Sequence, residues 1–168
     1  MSKIEKINLD GTMLELASNK WQLLVDHTLV ANTNFINFPI DDTNLSELYV
    51  EINVKPITDT IVNNSVRCGI NATAWYQVSH KSLFMANNCL HASWEAIITS
   101  HIFRIGGSWR NGYSHLNGSG SLRADTSPQI NYASSHVASE TPKIENIAFD
   151  NNNGSQLPAG SIIRIYGR

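Results

Sequence analysis

Charge is scarce in this chain. Only 15% of its 168 residues are Asp, Glu, Lys or Arg, against the ~25% usual for soluble domains. Twelve basic and fourteen acidic side chains leave a net charge of −2, so nothing attracts a polyphosphate backbone from a distance. No basic patch stands out, and no nucleic-acid partner is expected. Long apolar runs are missing as well. The longest, around Glu95–Ile105, is broken by Glu95, His101 and Arg104 and falls far short of the ~20 residues of a membrane span. The stretch Met1 to Lys6 has no apolar core of a secretion signal. Neither membrane insertion nor secretion is therefore expected.

Cysteine is nearly absent. Cys68 and Cys89 form no C-x-x-C motif, and without an export signal the expected state is a pair of reduced, partly buried thiols. Of the six histidines, at 27, 80, 91, 101, 115 and 136, no two lie two or four residues apart, so local metal-ligand spacing is missing. Catalytic signatures are missing too. There is no G-x-S-x-G elbow, H-E-x-x-H or phosphate-binding loop, and Gly118-Ser119-Gly120 fails as a dinucleotide fingerprint at Arg123. Asp150 to Gly154 is rich in oxygen ligands but lacks the downstream bidentate Glu of a calcium loop, and reads as a solvated turn. Asp41-Asp42 reads as a turn cap. No catalytic residue, metal or cofactor is assigned, and the protein is not expected to be an enzyme.

What the chain has in quantity is Asn (19), Ser (18) and Thr (10), with 18 Ile and 8 Val. Asn and Ser compete with the helical backbone for hydrogen bonds, whereas Ile, Val and Thr suit a pleated surface. The composition predicts a β-rich protein.

Alternation of apolar and polar residues locates the strands. Trp21, Leu23, Val25, His27 and Leu29 are expected to share one face, with Leu24 as the exception. Phe35 to Phe38 follows, and then Leu48, Val50, Ile52 and Val54 alternate with Glu47, Tyr49, Glu51 and Asn53. Weaker candidates are Val66–Ala72, Thr73–Ser79, Ser82–Asn87 and the apolar stretch Trp94–Ile105; a helix over 90–103 lacks caps and period. Two strands, Ile144–Phe149 and Ser161–Tyr166, close the chain. Many short strands at this spacing predict a sandwich or barrel. Ahead of them, Lys3 to Leu16 holds two short alternating stretches around Asp10-Gly11, a hairpin turn pair. The expected division is an arm at 1–18 and a body at 19–168.

Gly106–Ser121 holds five of the ten glycines and is expected to be an irregular loop or hairpin tips. It mixes aromatics with Ser, Gly, Asn and Arg, the composition of adaptable binding loops. Trp109, Arg110, Tyr113 and His115 are the candidate ligand-binding residues. Alanine at 109 and 113 is expected to remove binding and leave stability alone. Trp75, Tyr76 and Trp94, in strand-like segments, are assigned to packing, as is His27.

Three segments read together carry a resemblance: Trp21 to Leu29, Leu45 to Val54, and Lys143 to Asp150 with Leu157 to Gly167, ending on a G-x-x-x-x-I-Y-G pattern from Gly160. In this order they resemble a β-sandwich domain of tailed-bacteriophage structural proteins, found in tail fibres, baseplate components and head-decorating or minor virion proteins. Lys6 to Leu16 is similar to the short lead-in before such domains. The resemblance implies an all-β, antiparallel, jelly-roll-like sandwich with a short N-terminal arm for assembly or attachment. It implies a virion component that binds other virion proteins or host surface glycans and forms a homo-oligomer, a trimer first. It brings no family catalytic residue. A free-standing carbohydrate-binding lectin is the second reading. A sandwich-fold glycan hydrolase or esterase, using His115 or Asp125, is the third.

Overall fold

The structure, a computed structural model, describes residues 6–9, 12–15, 20–56, 65–74, 82–87, 95–119, 129–131, 141–152 and 156–168. Trp75, Tyr76, Cys89, Trp94 and Asp125 lie outside the described residues, as do His80, His91, His136 and the Asn153–Ser155 part of the expected turn. Among the described residues every regular element is a strand.

Strands β1 (Lys6–Leu9) and β2 (Thr12–Glu15) pair antiparallel from Lys6↔Glu15 to Leu9↔Thr12, the register that a two-residue connection dictates. They form a two-stranded sheet of their own. The body runs β3 (Gln22–Thr28), β4 (Phe35–Pro39), β5 (Glu47–Val54), β6 (Ser65–Ile70), β7 (Ser82–Asn87), β8 (Glu95–Ile105), β9 (Ser108–Ser119), β10 (Gln129–Asn131), β11 (Asn146–Asn152) and β12 (Ile162–Gly167). One sheet has the order β3-β12-β5-β8-β9 and the other β10-β7-β6-β11-β4, all pairings antiparallel. With β9 and β10 set aside, eight strands remain. The first, eighth, third and sixth make one sheet, and the second, seventh, fourth and fifth the other. That interleaving is the jelly roll, in which successive strands cross between two facing sheets.

The core lies between the sheets and follows from period-two alternation. Along β5, Leu48, Val50, Ile52 and Val54 are fully buried while the residues between them are half-exposed. Ile163 and Ile165 of β12, Ile98 and Ile102 of β8, Val66, Cys68 and Ile70 of β6, and Ile147 and Phe149 of β11 complete it. Cys68 is a free, buried thiol, its pKa pushed well up by burial and by nearby Asp150. On the opposite side of the second sheet, Arg67 and Asp150 stand opposite one another and form a buried two-pronged ion pair. Arg67 Nε donates to Oδ1 at 2.8 Å, and Nη2 donates to Oδ2.

The solvated turn expected from Asp150 is corrected, since Asp150–Asn152 end strand β11 with Asp150 and Asn151 buried. Three more local expectations are corrected. The first concerns β3, where the register against β12 slips between Val25 and Leu23, leaving Leu24 as an extra residue. Such a bulge reverses the alternation. Val25 and His27 therefore face the core, His27 beside Phe38 at 5.4 Å between rings. Leu24, still 37% exposed, leans over Gly167, where a Cβ would lie 2.8 Å from its Cδ1, while Trp21 and Leu23 pass to the outer face.

The second concerns Gly106–Ser119, where a hairpin tip is found only at Gly106-Gly107 and the rest is strand, not irregular loop. Gly106 and Gly107, at φ +58° and +82°, close a two-residue hairpin between Ile105 and Ser108; positive φ at both positions is what a tight turn of this hand requires. The following residues pair with β8 as far as Glu95↔Ser119, Gly112 being the extra residue of a second bulge. Ladder hydrogen bonds override a loop-like composition here.

The third is Trp109, which is 1% exposed. It stands opposite Arg104, on the alternation that buries Ile98 and Ile102, and belongs to the core. Its indole Nε1 donates to Asp42 Oδ2 at 2.7 Å, and the same oxygen accepts the Ile144 amide at 2.8 Å. Asp41, in contrast, caps its own turn, accepting from the Thr43 amide and hydroxyl.

Candidate binding groove

The polar positions of the β3-β12-β5-β8-β9 sheet form its outer face, and neighbouring strands bring them into rows. One row runs Tyr166 (β12), Tyr49 (β5), His101 (β8), because Tyr166 pairs with Tyr49 and Tyr49 with His101. The Tyr49 and Tyr166 rings lie 6.2 Å apart. Trp21, brought to this face by the β3 bulge, stands along one flank. Its ring is edge-on to Tyr49 at 6.3 Å and to His101 at 5.9 Å, and the Arg168 guanidinium lies over it at 4.8 Å.

Ionic groups flank the aromatic row on both sides. On one side Glu47 is gripped twice: Arg168 Nη2 donates to its Oε1 at 2.6 Å, and His101 Nε2 lies 2.8 Å from its Oε2. The Arg168 hydrogen bond, seconded by His101, holds the Glu47 carboxyl below the usual carboxylate range. On the other side Arg164 bridges Asp26 and Glu51, with 3.3 Å contacts to each, and the Asp26 charge raises the guanidinium further. Between the two sides lies an open groove of about 460 Å³, with Glu47, Glu51, Tyr49 and Tyr166 in its lining.

The Glu47 clamp has a measurable pH signature. A carboxylate with a depressed folded value contributes stability above its unfolded value, and that stability is lost as pH falls through the folded value. Denaturant unfolding between about pH 5 and pH 3 should show a steeper loss for the parent chain than for Glu47→Gln. Equal slopes would show that the clamp contributes nothing to folding.

Of the four residues proposed from sequence, Trp109 is removed to the core, as described above. Arg110 is half-buried and stands opposite Phe103, Tyr113 opposite His101, and His115 opposite Thr99. All three are thus in register with rows of the groove-bearing sheet, on β9 at its edge. The groove residues themselves were missed, although the alternation of Glu47, Tyr49 and Glu51 against buried neighbours carried a signal. Among the described residues no cluster of His, Cys, Asp and Glu could hold a metal ion.

Fold and groove together define the class: a jelly-roll sandwich with an aromatic, ion-flanked groove on an exposed sheet face. No protein-family profile matches the chain, and no curated protein is similar to it. Among solved structures it is similar to a point-substituted fructofuranosidase from Schwanniomyces occidentalis complexed with fructosylnystose. Identity is 11%, TM-score 0.33, with 92% of this chain and 35% of that one covered. The fructofuranosidase of the same organism complexed with fructose gives 12%, 0.31 and the same coverages. The chain spans about a third of the length of these enzymes. Likeness at this level carries no argument about activity.

Proposed function

We propose that this protein works by binding, not by turnover, and that the outer groove is a glycan-binding surface. The observation that carries the reading is the row Tyr166–Tyr49–His101 with carboxylates on both flanks. Aromatic rings offer apolar faces to the C–H side of a sugar, and carboxylate oxygens keep lone pairs for its hydroxyls. Glu47 and Glu51 do not suit hydrolysis. They flank Tyr49 on one strand. Each is also held by a cation, and Glu47 is pulled below the range of a general acid rather than raised.

The biological setting we propose is a bacteriophage particle: a small fibre head, capsid fibre or decorating protein that attaches to host surface glycans. The resemblance of three ordered segments to phage sandwich domains supports it, as does the jelly roll, an architecture shared by viral and lectin domains. Self-association, a trimer first, fits the paired arm and the edge strand β3, whose outward residue Leu23 is 52% exposed, with Trp21 just before it at 39%. Attachment to other virion proteins through the arm belongs to the same proposal.

Tyr49→Ala should lower glycan affinity at least tenfold while the melting temperature moves by only a few degrees, because the ring lies on the outer face. Glycan-array screening followed by titration calorimetry measures the first, and scanning calorimetry the second. Unchanged affinity for every bound glycan would remove the groove from the function.

A further inference from the structure

We infer that the groove takes a neutral, unbranched oligosaccharide laid across the strands and contacting at least three rings. The inference rests on the groove being a glycan site and adds the ligand's charge, direction and minimum length. Direction comes from the register. The aromatic row crosses β12, β5 and β8 at right angles to the strands, one side chain per strand. Adjacent strands lie about 4.8 Å apart and the Tyr49 and Tyr166 rings 6.2 Å apart, a spacing of the order of the advance of one pyranose ring with its bridging oxygen along an extended chain. A ligand running along a strand would instead meet Glu47, Tyr49 and Glu51 in turn, with a single ring to stack on.

A minimum length follows from the row itself. Among the described side chains Tyr166, Tyr49 and His101 offer three consecutive positions, Trp21 stands along one flank against Tyr49 and His101, and the register continues to Tyr113 on β9. Charge follows from the flanks. Three carboxylates, Asp26, Glu47 and Glu51, face two guanidiniums, Arg164 and Arg168, and both guanidiniums are already committed to them. An anionic sugar would meet an excess of negative charge, and would have to break an existing pair to gain a cation. A neutral sugar only donates hydroxyl hydrogens to carboxylate lone pairs that the arginines leave open.

The test is titration calorimetry of the full chain with unbranched neutral hexose oligomers of one to six units, beside uronic-acid oligomers and sialylated glycans. Affinity should rise at least tenfold from one unit to three, with acidic ligands at least tenfold weaker. In Tyr166→Ala the gain between the second and third unit should disappear while single-unit affinity stays, a pattern that general loss of fold does not give. Affinity independent of length, or preference for acidic glycans, would overturn this inference and leave the glycan reading standing. Failure of every glycan to bind would remove both.

Discussion

Asp150→Ala should cost about 3–5 kcal/mol of folding stability, because it leaves the Arg67 guanidinium buried without its counter-charge. The two side chains are 7% and 0% exposed. Burial pushes the Asp150 carboxyl up and the Arg67 fork pulls it back down, so the pair persists against a desolvation penalty. A domain of this kind holds about 5–15 kcal/mol in total; the single substitution therefore removes a large part of it. Replacing both partners, Arg67→Met with Asp150→Leu, removes the penalty along with the attraction, and should recover most of the loss. Urea unfolding of the two singles and the double measures the coupling. A double variant as unstable as the sum of its singles would show that the pair does not act as a unit.

Trp109→Ala should be comparably severe, about 3–5 kcal/mol for the emptied core volume. It would also leave the buried Asp42 carboxylate short of one of its two donors. In a chain of this size that corresponds to a fall of roughly 6–20 °C in Tm. Trp109→Phe separates the contributions, since it keeps most of the ring volume and loses the indole N–H, and should cost about 1–3 kcal/mol. Scanning calorimetry of both variants checks this. A Tm unchanged by Trp109→Ala would return the residue to the surface role that its surroundings in sequence suggest. The corner it anchors is tied by backbone too: Trp109 donates to the Thr141 carbonyl, and Arg104 both lies over the indole and donates to the Pro142 carbonyl.

These two residues show where reading the sequence stops. Trp109 sits between Ser108 and Arg110 in a run of Gly, Ser and Asn, and nothing local separates a loop aromatic from a core one. Its burial depends on the register of β9 against β8, which sets it opposite Arg104. Arg67 and Asp150 are 83 residues apart, and only the pairing of β6 with β11 brings them together. The groove was half-legible. Glu47, Tyr49 and Glu51 declare their outward face by alternating with buried Leu48, Val50 and Ile52. That Tyr166 and His101 stand on either side of Tyr49 is a matter of strand order, which alternation along one strand does not encode.

The amino-acid sequence by itself determined the class of this protein: strands rather than helices, where the stronger strands lie, which residues of β5 are core, and the hairpin register of the arm. Period-two patterning and turn chemistry within a few residues give these, whereas the core face of β12, with Ile162 and Ile163 adjacent, was set by its pairing. The tertiary structure alone decided the interleaving of the two sheets, the bulge that sends Trp21 outward and leans Leu24 over Gly167, the burial of Trp109 and the rows that make the groove. These depend on hydrogen bonding between strands far apart in the chain. A one-residue slip in such pairing turns every side chain beyond it to the other face.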